Sequence, residues 1–228
     1  MHILHAPRIT GSQPSMLSTI RLVGVLLAVT LAAFVLTACF HEPDEENLSL
    51  IKRQLKDYVK TGKYDNDIAA VVGEAKDFLQ AHASASVNES KGKVAIVLDI
   101  DDTALSSIPS LLANDFGLIK DGACLIPKGP CGWGSWQELG KAPAIAPTLA
   151  LSQLAKKLGF AVFFITGRQE KYREATERNL RSVGYADWDG LILRGAGVHY
   201  PSEAEFKAPV REKLESQGYV LNSVGNEV

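Results

Sequence analysis

Cysteine is scarce in this chain. Three residues among 228, at positions 39, 124 and 131, are too few for a disulfide scaffold and lack zinc-knuckle spacing. An excess of one charge is also missing. The 24 Lys+Arg stand against 26 Asp+Glu, a formal charge of -2, with both signs interspersed. No basic stripe points to nucleic acid. With 10 Pro and 19 Gly a collagen-like repeat is excluded, and with 46% hydrophobic residues so is a disordered tail. A single long apolar run excludes a polytopic membrane protein. No internal repeat emerges. What remains suits one medium domain, or one domain with a small insert, around a sizeable core.

That apolar run, residues 22–38, holds no charge and is dominated by Leu, Val and Ala. Arg21 precedes it and Leu36-Thr37-Ala38-Cys39 closes it. A positive start, an apolar stretch and small residues before a cut predict a secretory signal; an uncleaved single-pass anchor is the alternative. The closing four residues also resemble the bacterial lipobox, which makes Cys39 the lipidated first residue of the mature chain and places the protein at the bacterial cell envelope. The polar, Pro-containing stretch 2–15 is odd for a signal, so Met16 is an alternative start to Met1. Removing residues 1–38 takes away Arg8 and Arg21 and no acid, leaving 22 basic and 26 acidic residues, a charge of -4.

Residues 39–92 read as a spacer and a helical lead-in. Leu48, Ile51, Leu55 and Val59 recur at helical spacing until Gly62, and a second helix is expected over about 65–83. The small, polar stretch 84–92 reads as a linker. From residue 93 onward strands and helices alternate. Val94-Ala95-Ile96-Val97-Leu98 is a short β-branched run ending abruptly in acids, as a buried parallel strand does. A helix over 147–158 is opened by Pro147 and stopped by Gly159. Strands follow over 160–165, 191–193 and 219–224, with helices over 169–183 and 209–217, the latter opened by Pro209. Repeated βα units of this kind form a parallel sheet covered by helices, so the fold class is α/β.

Residues 106–146 break the alternation. They are rich in Gly and Pro and carry Cys124, Cys131, Trp133 and Trp136. Forty irregular residues in a compact domain, by order of magnitude, are usually a lid or binding loop. Export to an oxidising compartment makes a Cys124–Cys131 bond plausible; two free thiols are the alternative. The tryptophans either stack on a nucleobase or aromatic leaving group or, the preferred reading, anchor the packing of the loop.

Asp99-Ile100-Asp101-Asp102-Thr103 follows the first strand directly. Open α/β sheets place ligands at the carboxyl ends of their strands. Asp99 and Asp101, two apart, can converge on one cation or reacting group; the plain alternative is a solvated turn. Thr166 and Gly167 end the second strand, where small donors can cradle an anion. Lys207, expected just before the helix of Pro209, can pair with a phosphate or with the first Asp.

The order Asp–Thr–Lys at successive strand and helix ends resembles the haloacid dehalogenase (HAD) superfamily. VLDIDDT resembles its first motif, FFITGR the second, and Lys207 the third. DIDDTALSSIP, TGRQEKYREATERNL, GYADWDGLILR and KAPVREKLESQGY together resemble class B acid phosphatases of that superfamily, which include bacterial surface enzymes, plant acid phosphatases and vegetative storage proteins. The likeness runs from about Val94 to the last residue. It implies a HAD-like Rossmannoid core over 93–228 with 106–146 as a cap. It further implies hydrolysis of a small phosphomonoester, a nucleotide being one candidate, through an aspartyl-phosphate intermediate. Asp99 would be the nucleophile, Asp101 the general acid and base, and Thr166, Gly167 and Lys207 the phosphate holders. Magnesium would be bound by Asp99, the Asp101 main-chain carbonyl and a later acid. Asp102 is as readily a turn-stabilising residue as a catalytic one, Arg168 either a phosphate contact or a structural ion pair, and His199 structural. Related enzymes often assemble, which makes a homo-oligomer an expectation.

The family's fourth motif reads approximately GDxxxD after the fourth strand. Asn226 occupies the first Asp position, and the second would fall beyond Val228. From this the sequence predicts weaker magnesium binding, lower turnover than in an intact relative, and an early end to the fold. The competing reading is a catalytically impaired surface or storage-like protein on the same fold.

Overall fold

A computed structural model describes residues 47–83 and 93–224. The signal segment with Cys39, the linker 84–92 and Asn226 lie outside the described residues.

Four parallel strands form one sheet in the order β3-β2-β1-β4: β1 Lys93–Leu98, β2 Ala161–Gln169, β3 Gly190–Arg194 and β4 Tyr219–Val224. Side chains alternate across a strand, so each strand feeds both faces. Val94, Ile96 and Leu98 join Val162, Phe164 and Leu193 on one face. Ala95 and Val97 join Phe163, Ile165 and Phe206 on the other. Apolar packing on both faces is what lets a parallel sheet read as near-continuous hydrophobic runs.

The first face is covered by α2 (Lys63–His82), α5 (Ala146–Lys157) and α6 (Arg173–Ser182). Val72, Leu79, Leu151, Ala155 and Leu180 supply its core contacts. The opposite face is covered by α7 (Glu203–Ser216), through Phe206 and Leu214. Before α2 lies α1 (Leu48–Lys60), and Gly62, at φ 75°, makes the turn between them. That left-handed position is where glycine is cheapest.

Several boundaries differ from expectation. The helix predicted to open at Pro209 begins at Glu203. Ser202 caps it by accepting the Glu205 N–H at 3.3 Å, and Glu203 and Glu205 place negative charge in its first turn. Pro209 sits inside the helix and forgoes the bond to the Glu205 carbonyl; both residues are exposed, so water can serve that carbonyl. Lys207 is therefore within the helix rather than before it. The helix expected from residue 169 starts at Arg173, after a short 3₁₀ turn Glu170–Tyr172, because β2 continues to Gln169.

The stretch 106–146 is not irregular throughout. It contains α3 (Ile108–Ala113) and α4 (Trp133–Leu139). Cys124 and Cys131 are bonded. Asn114 braces the same place: its Nδ2 donates to the Cys131 carbonyl at 2.9 Å and its Oδ1 accepts the Cys131 N–H at 2.8 Å. Trp136 is in the core, as a packing anchor should be. Helical spacing then sets Trp133 and Gln137 together on the face of α4 that overlooks the strand ends.

Candidate active site

The chain curls sharply after β1. The Ile100 carbonyl accepts the N–H groups of Thr103, Ala104 and Leu105, at 3.3, 3.0 and 2.8 Å. Ile100 itself is fully buried and anchors the turn. Asp99 and Asp101, on either side of it, both face a cavity of about 310 Å³ at the carboxyl end of the sheet. Asp102 does not. Its backbone is left-handed, at φ 55°, and its carboxylate accepts the Ser107 N–H at 2.7 Å. Asp tolerates this conformation better than most residues and the bond closes the turn, so Asp102 serves the loop.

Asp99 pairs with Lys207, Nζ to Oδ1 at 3.3 Å. Lys207 is only 5% exposed, and it reaches the acid because α7 points its first turns at the strand ends. Burial pushes the Asp99 carboxyl up to about 6; Lys207 and the Ile100 amide oppose the rise, and Asp101 adds to it. Burial likewise raises Asp102, with the Ser107 amide opposing.

Asp101 is held differently. Both its oxygens accept from Arg168, whose guanidinium also donates to Thr176 Oγ1 at 3.1 Å. Arg168 is 2% exposed. The ion-pair reading of this residue is the one the structure bears, although it also forms part of the cavity wall.

The β2–β3 register slips between Thr166 and Gln169, leaving Gly167 and Arg168 as a bulge. Bulges re-aim side chains, and this one brings Thr166, Gly167 and Arg168 to the same cavity. Thr166 Oγ1 accepts the Arg168 N–H at 3.2 Å, which leaves its hydroxyl hydrogen available to an anion. Thus Asp99, Asp101, Thr166, Gly167 and Lys207 converge on one cavity. His199 is exposed and is not among the lining residues. Gln137, Arg194 and Glu203 complete the wall and were not foreseen. Their nearness depends on the insert and on the bulge, which leave no local pattern, and on the true start of α7, which Ser202 and Glu205 mark.

The Asp99 carboxylate lines the cavity and is a hard oxygen donor of the kind a magnesium-class cation takes; the Asp101 main-chain carbonyl is the second donor that the family resemblance implies. The raised Asp99 carboxyl fits such an ion, because Lys207 alone does not offset its burial and a further positive charge would favour ionisation. Among the described residues no group of three or more His, Cys, Asp or Glu could hold a metal. Asn226, the further ligand expected from sequence, lies outside them.

The family "HAD superfamily, subfamily IIIB (Acid phosphatase)" matches residues 41–227. Acid phosphatase 1 of Solanum lycopersicum is 33% identical over 172 residues, covering 75% of this chain and 62% of its own. Vegetative storage protein 1 of Arabidopsis thaliana is 33% identical over 177 residues, covering 77% and 60% respectively. The chain thus spans about six-tenths of the length of these relatives. Among solved structures, the class C acid phosphatase from Bacillus anthracis superposes with a TM-score of 0.55 at 22% identity. It covers 76% of this chain and 68% of that one, a likeness of fold alone.

Proposed function

The chain belongs to the HAD superfamily, subfamily IIIB (acid phosphatase), and on that premise we propose that it hydrolyses small phosphomonoesters through a covalent phosphate on Asp99. The observation that carries this reading is the Asp99–Lys207 pair at the mouth of β1, with Thr166 and Gly167 beside it.

An oxygen of Asp99 attacks phosphorus as the bond to the ester oxygen breaks. Thr166 Oγ1, the Gly167 N–H and Lys207 Nζ hold the phosphoryl oxygens and stabilise their charge. The departing alkoxide takes a proton from Asp101. Asp101 then removes a proton from water as that water attacks phosphorus, which frees inorganic phosphate and restores the Asp99 carboxylate. A protonated Asp101 can keep one oxygen on Arg168 and present its O–H to the leaving group, so the bidentate pair loosens to a single bond in that step. Magnesium, when bound by Asp99 and the Asp101 carbonyl, would offset the negative charge that phosphate brings to the two acids.

Hydrolysis of p-nitrophenyl phosphate in magnesium-containing buffer tests the reading. Turnover by the intact protein that is lost in Asp99→Asn supports it. No turnover in either protein supports the impaired, storage-like alternative.

Attachment to a bacterial envelope through a lipid on Cys39 is the second part of the reading and rests on Leu36-Thr37-Ala38-Cys39. Among the described residues no helix is long and apolar enough to cross a membrane. Metabolic labelling with a fatty acid, lost in Cys39→Ala, is the expected outcome; equal labelling of both proteins would reject it.

A further inference from the structure

Glu203 lines the cavity, and the proposed chemistry leaves it unused. It is the first residue of α7, and its carboxylate lies against Gly167: a Cβ at position 167 would come within 2.7 Å of Glu203 Cδ, and closer still to both oxygens. Bare backbone at the bulge is what admits the acid. Its Oε2 is shielded from solvent and accepts no hydrogen bond among the described residues, with Lys207 Nζ 3.9 Å away. The side chain as a whole is 38% exposed, so a route to water stays open.

Gly167 and Lys207 are the groups read above as holders of the phosphoryl oxygens. The Glu203 carboxylate therefore stands where that anion would be drawn. Lys207 is shared between two acids, Asp99 at 3.3 Å and Glu203 at 3.9 Å. Asp99 must stay if it is to attack phosphorus. Glu203 has no such duty, and its buried oxygen has no hydrogen bond to lose by leaving. A phosphate dianion beside a fixed carboxylate would be repelled by it in a site screened from water.

We propose that Glu203 is an internal competitor for the phosphoryl seat: a carboxylate that swings toward solvent when a phosphomonoester or inorganic phosphate binds, and that weakens the affinity for both. The proposal rests on the reading of Gly167 and Lys207 as that seat. Its consequence is kinetic as well as thermodynamic. Returning to Lys207, Glu203 helps expel product phosphate, a step that limits many hydrolases.

Calorimetric titration of the full protein with inorganic phosphate, in magnesium-containing buffer, tests this without any need for turnover. The variants are Glu203→Gln and, as a control, Glu205→Gln, an exposed acid in the same helical turn. Glu203→Gln should bind phosphate about tenfold more tightly, because a nearby like charge is removed while the side-chain shape is kept. Glu205→Gln should stay within about twofold, its charge being screened by solvent. The KM for p-nitrophenyl phosphate should fall with the Kd in Glu203→Gln. Unchanged or weaker phosphate binding in Glu203→Gln overturns the proposal, as does equal tightening in Glu205→Gln. Failure of both the unaltered protein and Glu203→Gln to bind phosphate overturns it too. The expected phosphate pattern in a protein that hydrolyses no ester supports the competitor and rejects the phosphatase reading instead.

Discussion

Arg168 grips both oxygens of Asp101, Nε to Oδ2 at 2.9 Å and Nη2 to Oδ1 at 2.7 Å. A fork-to-fork pair fixes the carboxylate in orientation as well as in place, and Thr176 fixes the fork in turn. Lysine would keep the charge and lose the fork. Arg168→Lys should lower kcat for p-nitrophenyl phosphate by roughly 10- to 100-fold, the size of a misplaced acid–base group, and should move the pH profile of kcat. An unchanged kcat and profile would mean that Arg168 does not position Asp101.

Asp99 stores unfavourable charge. Its folded carboxyl sits at about 6 against 3.8 for a free aspartate, so between these the folded state binds the extra proton. Stability from this group therefore rises as pH falls through about 6, and the penalty is fully present above it. Asp99→Asn mimics the protonated acid. In chelator-treated buffer at pH 7.5 it should be more stable than the unaltered protein by about 1–3 kcal/mol, and at pH 5 by roughly half as much. Adding magnesium should raise the melting temperature of the unaltered protein at pH 7.5 and barely move that of the variant. Equal response of both proteins to magnesium would remove Asp99 from the metal site.

Asp102 closes a loop, and its substitutions should separate by shape rather than by charge. Asn keeps the acceptor for the Ser107 N–H and tolerates φ 55°. Asp102→Asn should therefore hold turnover within about threefold. Asp102→Ala loses the bond and strains the backbone, at a cost of about 2–3 kcal/mol by denaturant unfolding. A large loss of kcat in a fully stable Asp102→Asn would make the residue catalytic after all.

The Cys124–Cys131 bond closes a short loop immediately before α4. Cys124→Ser should destabilise the protein by about 2–3 kcal/mol, the chain-entropy value for so small a ring. Because Trp133 and Gln137 line the cavity from α4, kcat/KM should also fall at temperatures where the fold is intact. Stability lost with kcat/KM unchanged would confine the bond to a structural role.

The central strands β1 and β2 were legible because each is a β-branched or aromatic run cut short by acid or glycine, and burial on both faces demands such runs. Asp99, Asp101 and Thr166 followed from those strand ends. The motif marks Lys207, but Pro209 looks like a first helical residue, whereas Ser202 is the residue that caps the helix and puts Lys207 inside it. Glu203, Gln137 and Arg194 left no signal. Each reaches the cavity through tertiary structure: Glu203 against the bare backbone of the β2 bulge, Gln137 on the helix of the folded insert, and Arg194 at the end of β3. The N-terminal helices were visible from apolar spacing, and the turn at Gly62 from its glycine.

Rapid acid quenching of the protein mixed with a phosphomonoester radiolabelled in phosphorus tests the covalent route most directly. The account predicts a label that forms faster than product accumulates, is released by hydroxylamine as an acyl phosphate is, maps to Asp99 and is absent from Asp99→Asn. Turnover with no bound label at any quench time, or label on another residue, would contradict it.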